Sequence, residues 1–599
     1  MTREEAMNRT KIVCTIGPAV ATLDKMLALI EAGMNVARLN FSHGTHEEHR
    51  RTIELLKKAR ATAKRPLAIM LDTKGPELRV GKIPGDVLML QAGDRLKLVE
   101  KSGGEGQLAV HPFEAFSQVS LGMKILFDDG YISSEVVGKG PHEIEVEIQN
   151  SGTLKSNKGI NVPGAVIDLP AMTPQDMLDL RFGCEHEVDY VAASFIRSSH
   201  HVLSIKEFLA KEGKTDIFII AKIENAEGVE NFDSIVQAAD GIMIARGDLG
   251  VEVDLALVPK LQKMMIRKCY LACKPVVTAT QMLESMISNP RPTRAEVSDV
   301  ANAIYDATSA VMLSGETAVG KYPIETVKRM SSIIREAEAD FNYRTFFEEH
   351  SKKDYHDISS SVALAAVKTA YSANGKAIFA FTSSGATARL VSRLRPEMPI
   401  VALTTRERNY HQLAFNWGVV PVFSDECKNA KEAFAAVSSY ALSEHIIAFG
   451  DVVVVTAGVP FGKKGSTNMM MVENVGEILV RGHKGTGAKV SAKVSIVLSS
   501  QLRTPEQLAG RLVVIPHCDD SFLPLLKHAS GVILQNYMGD ISSEKYAALL
   551  AKTFDLSVMT RADGAMAVLK EDEEVTLDPK RGIIYRGSEE APSCKILSM

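Results

Sequence analysis

Asp216–Gly250 reads DIFIIAKIENAEGVENFDSIVQAADGIMIARGDLG. It holds two short apolar runs, Asp216–Ala221 and Gly241–Ala245. Each ends in charge: Lys222-Ile223-Glu224-Asn225 after the first, Arg246-Gly247-Asp248 after the second. Short, Ile-rich runs of this kind predict buried strands. Residues two apart on a strand share a side, so Lys222 and Glu224 project together. Neighbouring strands then bring one ammonium and two carboxylates to one place, which suits a divalent cation and a transferring phosphoryl group. A salt-bridged strand end is the plainer reading of the same residues.

Outward from this stretch the chain alternates strands with helical patterns. Upstream, strands are expected at Lys11–Ile16, Asn35–Asn40 and Leu67–Leu71. Gly33 is placed to close the helix between the first two, and Thr45 with Glu48 has capping-box spacing for the next. The rhythm breaks from about Glu77 to Pro163, where Gly-rich alternating runs such as Val87–Val99 and His142–Ile148 predict an inserted all-β unit. It resumes with strands at Asp189–Phe195, Asp216–Ile223, Gly241–Ala245, Pro275–Thr278 and Ser309–Ser314. Eight such strands with intervening helices predict an α/β fold, a (β/α)8 barrel interrupted after its third strand. Chemistry in such barrels sits at the C-terminal ends of the strands, where the charged residues fall.

The expected domains are residues 1–76 with 165–348 for the barrel, 77–164 for a β lid, 355–475 for an open α/β unit and 480–599 for an extra small α/β domain. With 599 residues, three or four domains are the ordinary expectation. A net charge of -4 gives no signature of nucleic-acid binding. No apolar run approaches the roughly 20 residues of a membrane span, and the start, MTREEAMNRT, is too polar for a secretory signal. Seven scattered cysteines read as reduced thiols of a cytoplasmic protein. Trp417 reads as core of the second α/β unit, and Met469-Met470-Met471 as a buried strand or subunit contact.

The strand tips, taken together, are Arg38-Leu39-Asn40-Phe41-Ser42-His43-Gly44, Asp72-Thr73-Lys74-Gly75-Pro76-Glu77-Leu78-Arg79, Lys222-Ile223-Glu224-Asn225, Arg246-Gly247-Asp248-Leu249-Gly250 and Ala279-Thr280-Gln281-Met282-Leu283-Glu284-Ser285-Met286. Their order and spacing over roughly residues 10–475 resemble the pyruvate kinases. The resemblance implies phosphoryl transfer from phosphoenolpyruvate to ADP. It implies Mg2+ (or Mn2+) on Glu224 and Asp248, and Lys222 as the charge that stabilises the transferring phosphoryl. Arg38, Gly247, Asp248 and Thr280 would bind substrate, Thr280 also being a candidate for proton delivery, for which a water chain would serve equally well. K+ would sit among Asn40, Ser42, Asp72 and Thr73, with Glu77 the residue type of K+-dependent members. Asn40, Phe41, Ser42, His43, Arg79 and Lys158 would meet the nucleotide under the β lid. Asp128 and Asp129 either face the site from the lid or form a turn before Gly130.

The resemblance also implies a sugar-phosphate or nucleotide effector at Thr382, Ser383, Ser384, Gly385 and Thr387, with Arg389 and Gly458–Gly465 nearby, and a homotetramer. Residues 480–599 resemble the mobile phosphohistidine domain of phosphoenolpyruvate-using enzymes. Ser542-Ser543-Glu544-Lys545 stands where that family carries its phosphoacceptor His, so a packing or regulatory role is expected. Two rivals are a metal-dependent aldolase or lyase barrel, which would not need Lys222, the Arg38–His43 stretch or the lid, and a non-catalytic phosphometabolite sensor, which would be expected to have lost the Lys or a metal carboxylate.

Overall fold

A computed structural model describes residues 8–586, apart from 102, 103, 105, 166, 353–355, 425, 426, 428 and 461–465. Eight parallel strands close into a barrel: Lys11–Thr15, Met34–Asn40, Ala68–Asp72, Tyr190–Ala193, Phe218–Ile223, Gly241–Ala245, Val276–Ala279 and Ala310–Leu313. Each pairs with its sequence neighbour, and the eighth closes on the first through Lys11 opposite Ala310. The strands are buried on both faces, which is why they read as unbroken apolar runs. Helix ends follow local chemistry. Gly33, at φ 124, closes the first long helix, and Thr45 and Glu48 form a reciprocal capping box at the next.

The inserted segment forms a second closed barrel of seven strands, ordered Glu143–Ile148, Arg95–Val99, Gln107–His111, Leu78–Val80, Gly159–Asn161, Lys124–Phe127 and Ile132–Lys139. The alternating run Val87–Val99 is not one strand. Gly93 turns at φ 92 and separates Val87–Leu90, which pairs with Gly152–Lys155, from Arg95–Val99.

The second α/β unit has the expected parallel strands, Val419–Phe423, Ile400–Thr404, Ala377–Phe381 and Val452–Gly458, plus an antiparallel edge strand, Thr467–Asn474. The three methionines lie on that edge strand, alternating between half-buried and exposed, so this is not a fully buried strand. Trp417 is buried, beneath the Arg395 guanidinium at 4.5 Å. The unit seals the floor of the main barrel: Phe415 is fully buried among the inward-facing Val36, Met70, Tyr190, Ile220 and Met312. The last region is one eight-stranded mixed sheet. Its strands Ile478–Arg481, His483–Thr486 and Glu574–Asp578 lie outside the expected runs; His483–Thr486, reading HKGT, carries no apolar residue to mark it. Among the described residues no helix is long and apolar enough to cross a membrane.

Candidate active site

All five charged strand tips converge at the C-terminal end of the barrel. Asn40 and Asp72 are register partners on adjacent strands, as are Lys222 and Met243. Lys222 is 8% exposed. Its Nζ stands 3.0 Å from Asp72 Oδ1 and 3.0 Å from Glu224 Oε1, and donates to Ser194 Oγ at 2.6 Å. Burial opposes the charge on this lysine, but the two carboxylates outweigh it and lift the pKa above the usual range. Arg38 Nε donates to the other oxygen of Asp72 at 2.5 Å, and its Nη1 to Thr15 Oγ1 at 2.9 Å. Burial would raise the Asp72 carboxyl, yet Arg38 and Lys222 hold it below its ordinary value. The salt-bridged strand end is therefore present, and it serves as the frame of a cleft.

Glu224 is 1% exposed; its Oε2 accepts the Phe195 N–H at 2.6 Å. Asp248 opens the short helix Arg246–Glu252. Its carboxyl is pushed up to about 7, first by burial, then by Glu224, with Asp129 and Glu77 adding to it against Lys222. Glu77, Asp129, Glu224 and Asp248 line a cavity of 70 Å3 between the inserted barrel and the strand tips. Gly247 N–H donates to Thr280 Oγ1 at 2.8 Å, and that hydroxyl donates to Ala279 O at 2.6 Å. Thr280 and Gln281 both have positive φ, 66 and 54, a strained turn for L-residues. Arg246 holds this turn from behind, donating to Ala279 O, Thr280 O and Asp299.

The inserted barrel reaches the site at several points. Asp128 and Asp129 do make a turn, with φ 52 and 54 before Gly130 at 83, and Asp129 also faces the cleft. Lys158 Nζ pairs with Asp128 at 2.7 Å, and Arg79 Nε with Glu77 at 2.6 Å. Asn161 Nδ2 donates to Glu252 Oε1 at 2.7 Å, linking the inserted barrel to the helix that carries Asp248. Phe41 stacks on His49 at 4.0 Å, and the Asn40 side chain accepts the Ser42 N–H at 3.1 Å. The His49 ring meets the His43 carbonyl at 2.9 Å, which leaves the His43 side chain outside that bond.

Sequence reading passed over Ser194, Asp176, Arg197 and the Asn161–Glu252 pair. Ser194 follows the fourth strand and also donates to Thr73 O at 2.6 Å, so it ties the third, fourth and fifth strands together. The rule that chemistry collects at strand tips was signal enough for it. Asp176, which accepts the Gly75 N–H at 3.0 Å, lies on a helix and carried no such signal.

Far from this site, Thr382, Ser383 and Ser384 are half-buried in the loop after Ala377–Phe381, and Gly385 turns at φ 79. Thr387 Oγ1 is bonded to Thr467 Oγ1 at 2.8 Å. Arg389 is turned inward, donating to Ser384 O at 3.2 Å and lying over the Phe218 ring at 5.4 Å. Of the loop Gly458–Gly465, residues 461–465 lie outside the described residues. In the last sheet, Ser543 Oγ accepts the Cys518 N–H at 3.0 Å and Glu544 pairs with Arg561 at 2.6 Å; both are structural bonds.

Family models agree with this geometry: "Pyruvate kinase, barrel domain" matches residues 7–327 and "Pyruvate kinase, alpha/beta domain" residues 360–473. The chain belongs to the pyruvate kinase family. A pyruvate kinase of Geobacillus stearothermophilus is 42% identical over 584 residues, covering 97% of this chain and 99% of that protein. One of Bacillus licheniformis is 41% identical over 586 residues with the same coverage. The crystal structure of a pyruvate kinase from Cryptosporidium parvum superposes with a TM-score of 0.76 at 36% identity, covering 79% of this chain and 98% of that one. Residues 474–599 fall outside both pyruvate kinase models, yet the two bacillar relatives extend through nearly the whole chain, so the last sheet belongs to a shared longer form.

Proposed function

We infer that the chain transfers the phosphoryl group of phosphoenolpyruvate to ADP, giving pyruvate and ATP, the last step of glycolysis. The observation that carries this is Lys222, buried and held charged at 3.0 Å from each of two carboxylates, at the mouth of a barrel that an inserted β barrel overhangs. Phosphoryl transfer needs positioning and charge neutralisation more than covalent chemistry, and a fixed ammonium supplies charge without reorganisation.

Glu224 and Asp248 fit a divalent ion. Glu224 is buried and Asp248 half-buried beside it; burial and then the Glu224 charge raise the Asp248 carboxyl, a repulsion a dication relieves, and hard oxygens suit Mg2+ or Mn2+. When bound, such an ion would neutralise charge on the phosphoryl oxygens. Asn40, Ser42, Asp72 and Thr73 offer amide, hydroxyl, carboxylate and carbonyl oxygens on adjacent strand ends, a donor set that fits K+. Glu77, already paired with Arg79, fits the K+-dependent pattern.

Arg38 is assigned to the substrate phosphate. The Gly247 N–H, Asp248 and Thr280 are assigned to its carboxylate end, and Thr280 is a candidate for proton delivery to the enol carbon, for which a water chain would serve equally well. Asn40, Phe41, Ser42, His43, Arg79 and Lys158 are assigned to the nucleotide, and the inserted barrel to excluding water above it. A phosphorylated sugar or nucleotide at Thr382, Ser383, Ser384, Gly385 and Thr387 is proposed as regulator. A homotetramer is supported by the open edge of Thr467–Asn474, where Met470 and Val472 are exposed. The free thiols support residence in the reducing cytoplasm. The test is pyruvate release from phosphoenolpyruvate, ADP, Mg2+ and K+, with sugar phosphates and nucleotides added in turn; no turnover with all four present would refute the reading.

A further inference from the structure

We propose that the joint between the barrel floor and the second α/β unit seats a small monovalent inorganic anion of halide size, in the cavity bounded by Lys274, Arg389 and Arg395. The cavity measures 20 Å3 and is also lined by Ser309 and Trp417. Lys274 and Ser309 precede the seventh and eighth barrel strands, at the end opposite the active site, and the two arginines come from the second unit.

Arg395 is 2% exposed, a guanidinium buried with almost no access to water. Its Nη2 donates to Ala307 O at 2.7 Å and Ser309 Oγ at 3.2 Å, while its Nε is buried without a partner. Arg389 makes the bonds already described, and Lys274 Nζ donates to Ala239 O at 2.6 Å. All of these acceptors are neutral. Among the described residues none of the three cations has a carboxylate within ion-pair distance. Two carboxylates face them from outside the cavity. Asp240 is engaged by Lys206 at 3.0 Å, and Glu338 by the Arg9 and Thr10 N–H groups at 3.0 and 2.6 Å, with Lys11 beside it. A fourth cation, Arg393, also lines the cavity and donates to Cys273 Sγ.

Buried charge without a counter-charge is costly, and the groups register it. Burial pushes Arg395 down to about 9 and holds Lys274 and Arg389 below their usual ranges. The space admits one water-sized occupant. Water can accept the Arg395 Nε–H but brings no charge to offset the surrounding cations; phosphate is too large. A halide meets both size and sign, and would pin the two units together from charges each supplies.

The test uses the full chain crystallised with bromide in place of chloride, with diffraction data at the bromine edge. One anomalous peak inside the cavity, within about 3.5 Å of Arg395, is expected. No peak, or a peak on the surface only (an adventitious ion only), overturns the proposal. In solution, potassium bromide replacing potassium gluconate at constant K+ should raise Tm saturably by about 2 °C or more. Arg395→Met should abolish the saturable rise. Should that variant not fold, Lys274→Met should raise the half-saturating bromide concentration about tenfold. An identical bromide response in wild type and Lys274→Met overturns it as well.

Discussion

Replacing Lys222 by Met removes the charge on which the proposed chemistry turns while keeping much of the stem. The Nζ is fixed 3.0 Å from Asp72 and from Glu224, so a phosphoryl group entering the cleft meets it at close range. One unit charge about 4 Å away contributes about 4 kcal/mol at an effective dielectric of ~20. That is roughly 10³-fold in rate, in line with the loss of one preorganised charge or donor at other active sites. The variant should keep its metal site, since Glu224 retains the Phe195 N–H and Asp72 retains Arg38. Breaking a buried pair also costs stability, about 3–5 kcal/mol, so fold must be followed beside activity. The assay is kcat for pyruvate formation at saturating phosphoenolpyruvate, ADP, Mg2+ and K+, alongside Mn2+ titration by electron paramagnetic resonance and near-ultraviolet circular dichroism. A folded Lys222→Met protein with kcat within threefold of wild type would refute the role, and one that has lost Mn2+ would show the lysine to be a structural prop.

Other expectations follow from the same geometry. Exchanging K+ for tetramethylammonium at constant ionic strength should lower kcat at least tenfold; equal rates would remove the monovalent site from Asn40, Ser42, Asp72 and Thr73. Asn161→Ala deletes the bond from the inserted barrel to Glu252, worth about 1 kcal/mol, and should raise the KM for ADP severalfold; an unchanged KM would mean that the contact does not hold the closed lid. His411 is buried, its Nδ1 accepting the Leu67 N–H at 3.3 Å, and burial pushes its pKa down to about 3. The unfolded chain therefore binds the proton more readily between that value and about 6.5, so this histidine's contribution is fully present above about 6.5 and is lost as pH falls towards 3. The loss is at most about 5 kcal/mol. Urea midpoints measured against pH should show this acid loss reduced in His411→Gln. Full-length protein incubated with radiolabelled phosphoenolpyruvate should carry no acid-labile label in residues 480–599; a labelled tail peptide would overturn the structural reading of Ser543 and Glu544.

The residues alone determined the barrel, because strands buried on both faces must be apolar throughout and their polar tips then stand out. Asp216–Gly250 shows this: both strands, Lys222, Glu224 and Asp248 are legible there without any partner. Periodicity likewise revealed the inserted β unit and the second α/β unit, though not the division of Val87–Val99 at Gly93 or the half-exposed edge strand Thr467–Asn474, whose pattern depends on which neighbour it meets. The partners of the site residues were decided only by tertiary structure. That Lys222 lies between Asp72, 150 positions upstream, and Glu224 follows from barrel closure, as does the tie through Ser194. The same holds for Asp129 facing Asp248 across the lid and for Phe415 plugging the barrel floor. Local sequence fixes which side of a strand a residue faces. Which charges share a cavity, and hence which stay ionised, depends on distances of a few ångströms that only the closed fold sets.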